Sequence, residues 1–171
     1  MRATNSEFGD AYDDGDHGVG DAVVDQVLSE IPHRGLLIVD AATSVGDTIA
    51  AMNEKHLGYA LIVEEGKLVG IFTERDALTK VVGGPQTALS ARIDTIMTRD
   101  PDTLPAHASV AFALHRMSVE GYRHIPLVDA ESRPVGCVSV RDIVDWMVDL
   151  FPDSVMNLPP EPGYPTSVDG G

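Results

Sequence analysis

Two heptapeptides carry residues that could hold a ligand. Gly70-Ile71-Phe72-Thr73-Glu74-Arg75-Asp76 and Gly136-Cys137-Val138-Ser139-Val140-Arg141-Asp142 share the pattern Gly-x-x-(Thr or Ser)-x-Arg-Asp, 66 positions apart. A hydroxyl followed three residues later by an acid is a capping box. The hydroxyl accepts from the N3 N–H, and the acid accepts from the N-cap N–H. That role is purely structural. A second role is open at the same place. A helix N-terminus offers free N–H groups and a partial positive charge suited to phosphate. A carboxylate there can accept two hydrogen bonds from the vicinal hydroxyls of a ribose. Three features favour adding the second role to the first: the motif recurs, an Arg precedes each Asp (Arg75, Arg141), and a Gly precedes each hydroxyl by three residues. That glycine is expected where a side chain would crowd a ligand against the strand.

Other chemistry finds little support. The six histidines show no HxxxH or HExxH spacing, and neither a GxSxG nor a Walker loop occurs. Cys137 is the single cysteine, which excludes an intramolecular disulfide and a cysteine-based zinc cluster; mid-strand, it is expected in the core. Residues 10–21 faintly echo a calcium loop through Asp10, Asp14 and Gly15, but Tyr12 and Asp21 stand where ligands of the usual type belong. A solvated acidic segment is the better reading. With no convincing nucleophile or acid–base pair, the chain reads as a binding module and not an enzyme.

The two motifs sit in an internal repeat. Residues 44–63 align without gaps on 109–128. In each copy Ser-Val opens a helix, with Val45, Ile49 and Met52 mirroring Val110, Leu114 and Met117 at i, i+4, i+7. An apolar strand follows, ALIV (60–63) or IPLV (125–128), then a turn, EEGK or DAESR, then a second strand, VGIF or VGCV. The motif hydroxyl starts another helix, with Leu78, Val81 and Val82 in one copy and Ile143, Val144, Met147 and Leu150 in the other. LLIV (36–39) and the segment around Thr103 supply the first strands. Each copy is strand–helix–strand–strand–helix, about 60 residues, too small to bury a good core alone. Two such units packed face to face leave a cleft on a pseudo-twofold axis. Residues 1–20 read as a disordered acidic segment. Asp21 caps an expected helix through Val23, Val24, Val27, Leu28 and Ile31. Residues 91–101 are expected to form a short helix, and 152–171 a flexible Pro- and Gly-rich tail. The organisation expected is 1–20, 21–90 with the first unit, 91–151 with the second, and 152–171.

The formal charge is −15. Residues 1–34 carry eight acidic and two basic groups, and 151–171 three acidic and none basic, so the ends are acidic and the centre mildly so. Such a field repels nucleic acid and anionic membrane surfaces. No run approaches the roughly 18 apolar residues of a membrane span, and the N-terminal stretch lacks the basic and apolar regions of a secretory signal. A cytoplasmic setting is expected.

GIFTERD and GCVSVRD, with GYALIVEEGKLVG (58–70), IMTRDPDTL (96–104) and GYRHIPLVD (121–129), resemble the cystathionine-β-synthase (CBS) domain pair across about 35–150. The resemblance implies an α/β (α+β) fold of two βαββα units on a pseudo-twofold axis. It implies a regulatory module that binds an adenosyl compound, AMP, ADP, ATP or S-adenosylmethionine, in the cleft. It also implies a homodimer, a regulated protein partner and no required cofactor. Asp76 and Asp142 would grip the ribose hydroxyls, with Thr73 and Ser139 on ribose or phosphate beside Arg75 and Arg141. Gly58, Tyr59 and Ala60, and Arg123, His124 and Ile125, would line the sites. Basic Arg123 and His124, against Gly58 and Tyr59, imply that the site of Asp142 holds phosphate better. Each residue also has a plainer role. Arg123 could pair with Glu120 or Asp129, His124 could be a satisfied strand histidine, Tyr59 and Tyr122 could be packing residues, and Met52 and Met117 belong to the core. The alternative function is an interaction module whose clefts are empty.

Overall fold

Glu65 and Gly66 both take positive φ, 50° and 78°, the twist that a two-residue hairpin loop requires. In the second copy Asp129 holds the longer turn, accepting the backbone N–H groups of Glu131 at 3.0 Å and Arg133 at 2.8 Å. These turns pair the central strands of two small sheets. The computed structural model describes residues 26–82 and 86–150. Its first half runs β1 (Ile38–Asp40), α1 (Val45–Lys55), β2 (Tyr59–Glu64), β3 (Lys67–Thr73) and α2 (Glu74–Asp76), the last continuing as a π-helix, Ala77–Val82. After β4 (Thr98–Arg99), the second half runs β5 (Leu104–Pro105), α3 (Val110–Glu120), β6 (His124–Val128), β7 (Pro134–Ser139) and α4 (Val140–Leu150). The sheet orders are β1-β2-β3-β4 and β5-β6-β7, parallel in the first pair and antiparallel thereafter. The register slips at Ile62/Val63 and again at Leu127/Val128, the equivalent place. This is the α/β pair of βαββα units that the repeat implies.

Ser44 and Ser109 cap α1 and α3 through their side chains. Val45 and Met52, and Val110 and Met117, are buried beneath, and the helices end at His56 and Gly121 in the left-handed conformation.

The segments leading into each half depart from expectation. The described part of the expected N-terminal helix is not α-helical; Asp21, Val23 and Val24 lie outside the described residues. Val27 pairs with Ser109, and Leu28–Glu30 is a 3-10 turn. The N–H groups of Leu28 and Ser29 donate to Ala108 and Ala106 of the second half, at 2.9 and 2.8 Å. The segment before the second half mirrors this. Arg92 pairs with Ser44, and the N–H groups of Ile93 and Asp94 donate to Thr43 and Ala41, at 2.8 and 3.3 Å. In place of the helix expected over 91–101, Ile93–Thr95 is a 3-10 turn and Thr98–Arg99 joins the first sheet beside β3. Each leading segment therefore enters the core of the other half. Leu28 and Ile31 pack with Val110, Ile125 and Ile143; Ile93 and Met97 pack with Val45, Leu61 and Phe72.

The motif glycines stand where core side chains come close, Gly70 under Met97 of the leading segment and Gly136 beside its own cross-strand neighbour Leu127. A Cβ on Gly70 would lie 2.2 Å from Met97 Sδ, and one on Gly136 would lie 3.3 Å from Leu127 Cδ1. Of the apolar residues expected along the last helix of each copy, Ile143 is fully buried, whereas Leu78, Val82, Val144 and Leu150 are exposed.

Candidate functional site

Both motifs close the capping box at the start of a helix. Thr73 N–H and Oγ1–H donate to Asp76 Oδ2, at 2.9 and 2.7 Å, and Asp76 N–H returns to Thr73 Oγ1 at 3.4 Å. Ser139 N–H and Oγ–H donate to Asp142 Oδ2, at 2.8 and 2.6 Å, with Asp142 N–H on Ser139 Oγ at 3.1 Å. One oxygen of each carboxylate is thereby committed to the fold. Both aspartates are more than nine-tenths buried, so the state of the other oxygen decides what the site can bind.

The two differ there. Asp76 Oδ1 receives Lys80 Nζ at 2.7 Å and Thr98 Oγ1 at 3.4 Å. Burial pushes the Asp76 carboxyl up, but the hydrogen bonds from Lys80 and Thr73 outweigh it and hold it below the usual carboxylate range. Asp142 Oδ1 is buried and accepts no hydrogen bond among the described residues. Its nearest cation is Arg34, whose Nε lies 3.6 Å away while its Nη2 bonds Asp145. A buried acceptor without a donor is costly in a folded protein, and a hydroxyl-bearing ligand would supply the donor.

Both carboxylates line one cavity of about 760 Å³ between the halves. The walls bring together all the residues expected at the site except two: Gly58, Tyr59, Thr73, Arg75, Asp76, Arg123, His124, Ser139, Arg141 and Asp142. Ala60 and Ile125 do not reach it; both are fully buried in the cores of their own sheets. Strand alternation explains this: Tyr59 and His124 face the cavity, so the next residue on each strand faces away. Tyr59 and His124 occupy equivalent places in the repeat, and their rings meet at 5.3 Å between centroids. The Tyr59 hydroxyl donates to the Gly35 carbonyl at 2.6 Å, and burial holds its pKa above the usual value. His124 is pushed below its ordinary pKa by burial, only partly countered by Asp142, so near neutral pH it presents a neutral imidazole.

The charges around the cavity are also unequal. The Arg123 guanidinium makes no ion pair with Glu120 or Asp129 and is exposed at the cavity wall. Its counterpart Gly58 is overhung by Glu74, whose carboxyl carbon would lie 3.2 Å from an added Cβ. Val140 stands where Glu74 does; both N–H groups donate to the equivalent strand carbonyl, of Gly58 or Arg123, at 3.1 Å. Each side keeps the arginine of its own motif, Arg75 or Arg141; beyond these the wall beside Asp142 adds Arg34 and Arg123, whereas the wall beside Asp76 adds the acid Glu74. Arg75 reaches across to the Gly121 carbonyl at 3.4 Å, and Arg141 lies 3.8 Å from Asp145.

Sequence reasoning missed Arg34, Glu74, Thr98, Asp102 and, behind the wall, Lys80. Tyr122, expected to pack, does so and also reaches the cavity, with its hydroxyl and Arg116 on the Asp102 carboxylate. Extending the repeat upstream would have found part of this, since 26–34 aligns on 91–99 at the same offset and sets Arg34 and His33 opposite Arg99 and Thr98. Among the described residues no group of His, Cys, Asp and Glu is arranged to hold a metal, and no helix is long and apolar enough to cross a membrane.

The family model described as "CBS domain" matches residues 28–83 and 93–149. An uncharacterized 17.7 kDa protein of Acidianus ambivalens is 26% identical over 124 residues, 72% of this chain and 74% of that one. CBS-domain proteins of Arabidopsis thaliana are longer, and the chain spans only 18% to 58% of their length. A putative signal-transduction protein with CBS domains from Burkholderia ambifaria superposes with a TM-score of 0.65 at 27% identity, covering 81% of this chain and 98% of that one. The domain pair of protein MJ0100, solved in complex with 5′-methylthioadenosine and S-adenosyl-L-methionine, gives 0.64 at 25% identity, covering 71% and 98%.

Proposed function

The chain belongs to the CBS-domain family as a tandem pair, and from that premise we propose that it is a regulatory module that binds an adenosyl ligand between its halves. The ligand class is AMP, ADP, ATP or S-adenosylmethionine, and occupancy is passed to a protein partner. The module holds its ligand without transforming it, needs no cofactor, works as a homodimer and acts in the cytoplasm.

One observation carries the reading. Asp142 Oδ1 is buried beside the cavity with no hydrogen-bond donor among the described residues, and Arg34, Arg123 and Arg141 are cations on the same side. A ribose hydroxyl would satisfy the carboxylate oxygen, and an attached anion would meet the cations and the N-terminus of α4. The ligand complex of the MJ0100 pair supports the adenosyl class. Gly58, Tyr59, Thr73, Arg75, Asp76, His124, Ser139 and Arg141 complete the wall, and Asp142 is the principal contact.

Thermal denaturation with AMP, ADP, ATP and S-adenosylmethionine tests this. A ligand at 100 times its Kd adds about 2.7 kcal/mol of stability. No shift with any of the four returns the chain to the interaction-module reading.

A further inference from the structure

Asp76 and Asp142 have the same cap and the same place in the repeat, and both are largely buried, Asp142 the more deeply, so the contrast between their second oxygens must come from what surrounds them. Two positions differ. Lys80 lies four residues after Asp76 where Trp146 lies four after Asp142. Trp146 is buried in the second core, and its indole makes no hydrogen bond to Asp142 Oδ1. Thr98 lies where the other half has His33, whose Nδ1 is also buried without a partner. Beside Asp142, a second cavity of about 300 Å³, lined by Pro32, His33, Trp146 and Asp149, opens between 32–34 and α4. The corresponding space in the first half is bridged by Lys80. Its ammonium donates to Asp76 Oδ1 at 2.7 Å and to the Ile96 carbonyl at 2.8 Å. Lys80 belongs to the π-helix Ala77–Val82, a distortion that often marks functional sites.

We propose that Lys80 is the built-in occupant of the first site, so that the pair has one open adenosyl site, at Asp142, and one held shut at Asp76. The inference rests on the adenosyl reading of the cavity. The lysine is not on the cavity wall; it reaches the carboxylate from its own helix. It therefore acts by competing for the oxygen that a ribose hydroxyl needs and by neutralising its charge, and leaves the shape of the cavity unchanged. A neutral hydroxyl can displace it only by breaking a charge-assisted bond to a largely buried carboxylate. The Thr98 hydroxyl, at 3.4 Å, is a weaker competitor for the same oxygen.

Isothermal titration of the full chain with AMP and, separately, with S-adenosylmethionine tests the role of Lys80. Wild type takes up one equivalent per chain. Lys80→Met keeps the aliphatic stem but not the charge and takes up two, the first-site Kd falling about fivefold, the upper worth of an ion pair whose cation is solvent-screened. Lys80→Arg keeps the cation and stays at one. The added equivalent disappears in the Lys80→Met, Asp76→Asn double variant. Lys80→Gln repeats the test should the methionine variant fold poorly. Two equivalents in wild type, or one in both neutral variants, overturns the proposal. If wild type binds nothing and Lys80→Met binds one equivalent through Asp76, the role of Lys80 stands and the open site at Asp142 falls. If no variant binds either probe, both fall.

Discussion

Residues 26–31 and 91–96 do the same work in opposite halves with little sequence in common, whereas 73–82 and 139–148 begin with the same motif and then diverge. The leading segments share equivalent backbone hydrogen bonds into the neighbouring half and a pair of apolar residues at equivalent places, Leu28 and Ile31, both buried, or Ile93, buried, and Ile96, partly buried. Nothing else about their side chains has to match. The motif helices share the capping box and then place Lys80 opposite Trp146. The pseudo-twofold fold thus depends on main-chain pairing and a few apolar positions. The difference between the two candidate sites depends on single side chains that the fold leaves free to vary.

The exchange of leading segments can be broken most forcefully. Leu28 and Ile93 are both 0% exposed, each in the core of the half it does not precede. Leu28→Ala and Ile93→Ala should each cost about 2–5 kcal/mol, the range for truncating a buried aliphatic chain. Because each residue ties two halves together, both variants should keep a single urea transition. Two separated transitions in either variant would show that the halves unfold independently and that the exchange does not couple them.

The contrast between the carboxylates is next in size. Asp76→Ala and Asp142→Ala remove equivalent caps, about 1 kcal/mol each, and Asp76→Ala should lose somewhat more stability because it also breaks the pair with Lys80. Binding should separate them. Asp142→Ala should weaken AMP about a hundredfold, or about 2.7 kcal/mol, and Asp76→Ala less than about threefold. Equal losses in the titration would refute the asymmetry.

The motif glycines offer a smaller contrast. Gly70→Ala sets a Cβ 2.2 Å from the Met97 sulfur, inside contact distance, whereas Gly136→Ala meets Leu127 at a tight but adjustable 3.3 Å. Overpacking a core costs about 1–3 kcal/mol. The first variant should fall in that range and the second below it, measured by thermal melting. Relief of the first by Met97→Ala would identify the crossing methionine as the reason for the glycine.

The strands, the capped helices and the repeat are legible in the sequence because their signals are local. The alternation around ALIV and IPLV, the Ser before each first helix and the Glu65-Gly66 turn need no tertiary information. The helix expected from Asp21 fails for a physical reason. Val27, Leu28 and Ile31 fit a helical spacing equally well, but the N–H groups of Leu28 and Ser29 are taken by carbonyls 80 and 77 residues away in sequence, at Ala108 and Ala106. The short helix expected over 91–101 fails likewise, because β3 offers Thr98 and Arg99 an open edge. At the site, the motif pointed to both aspartates; the lysine four residues after Asp76, with Trp146 at the equivalent place, was a local signal that separates them, whereas the approach of Arg34 was not. Asp76 is quenched by a lysine one turn on, and Asp142 is approached by an arginine over a hundred positions earlier in the chain. Ala60 and Ile125 entered the candidate site through the family resemblance, and the alternation of faces turns their side chains into the cores instead.

The smallest effect concerns protons at the quenched carboxylate. The hydrogen bonds of Lys80 and Thr73 hold Asp76 below the usual value of 3.8 despite its burial. A carboxyl whose folded pKa is depressed contributes stability that is fully present above the unfolded value and is lost as pH falls through the folded one. Removing the ammonium raises the folded pKa, so Lys80→Met should begin to lose stability at a higher pH than wild type. The Lys80 side chain is 39% exposed, so solvent screens the pair, and at neutral pH the difference should stay within about 1 kcal/mol. Urea midpoints taken from pH 7 down to pH 2 should show the two proteins apart at neutral pH and converging in acid, where both carboxyls are protonated. A constant gap at every pH would mean that the lysine stabilises through its contact with Ile96 alone and leaves Asp76 free for a ligand.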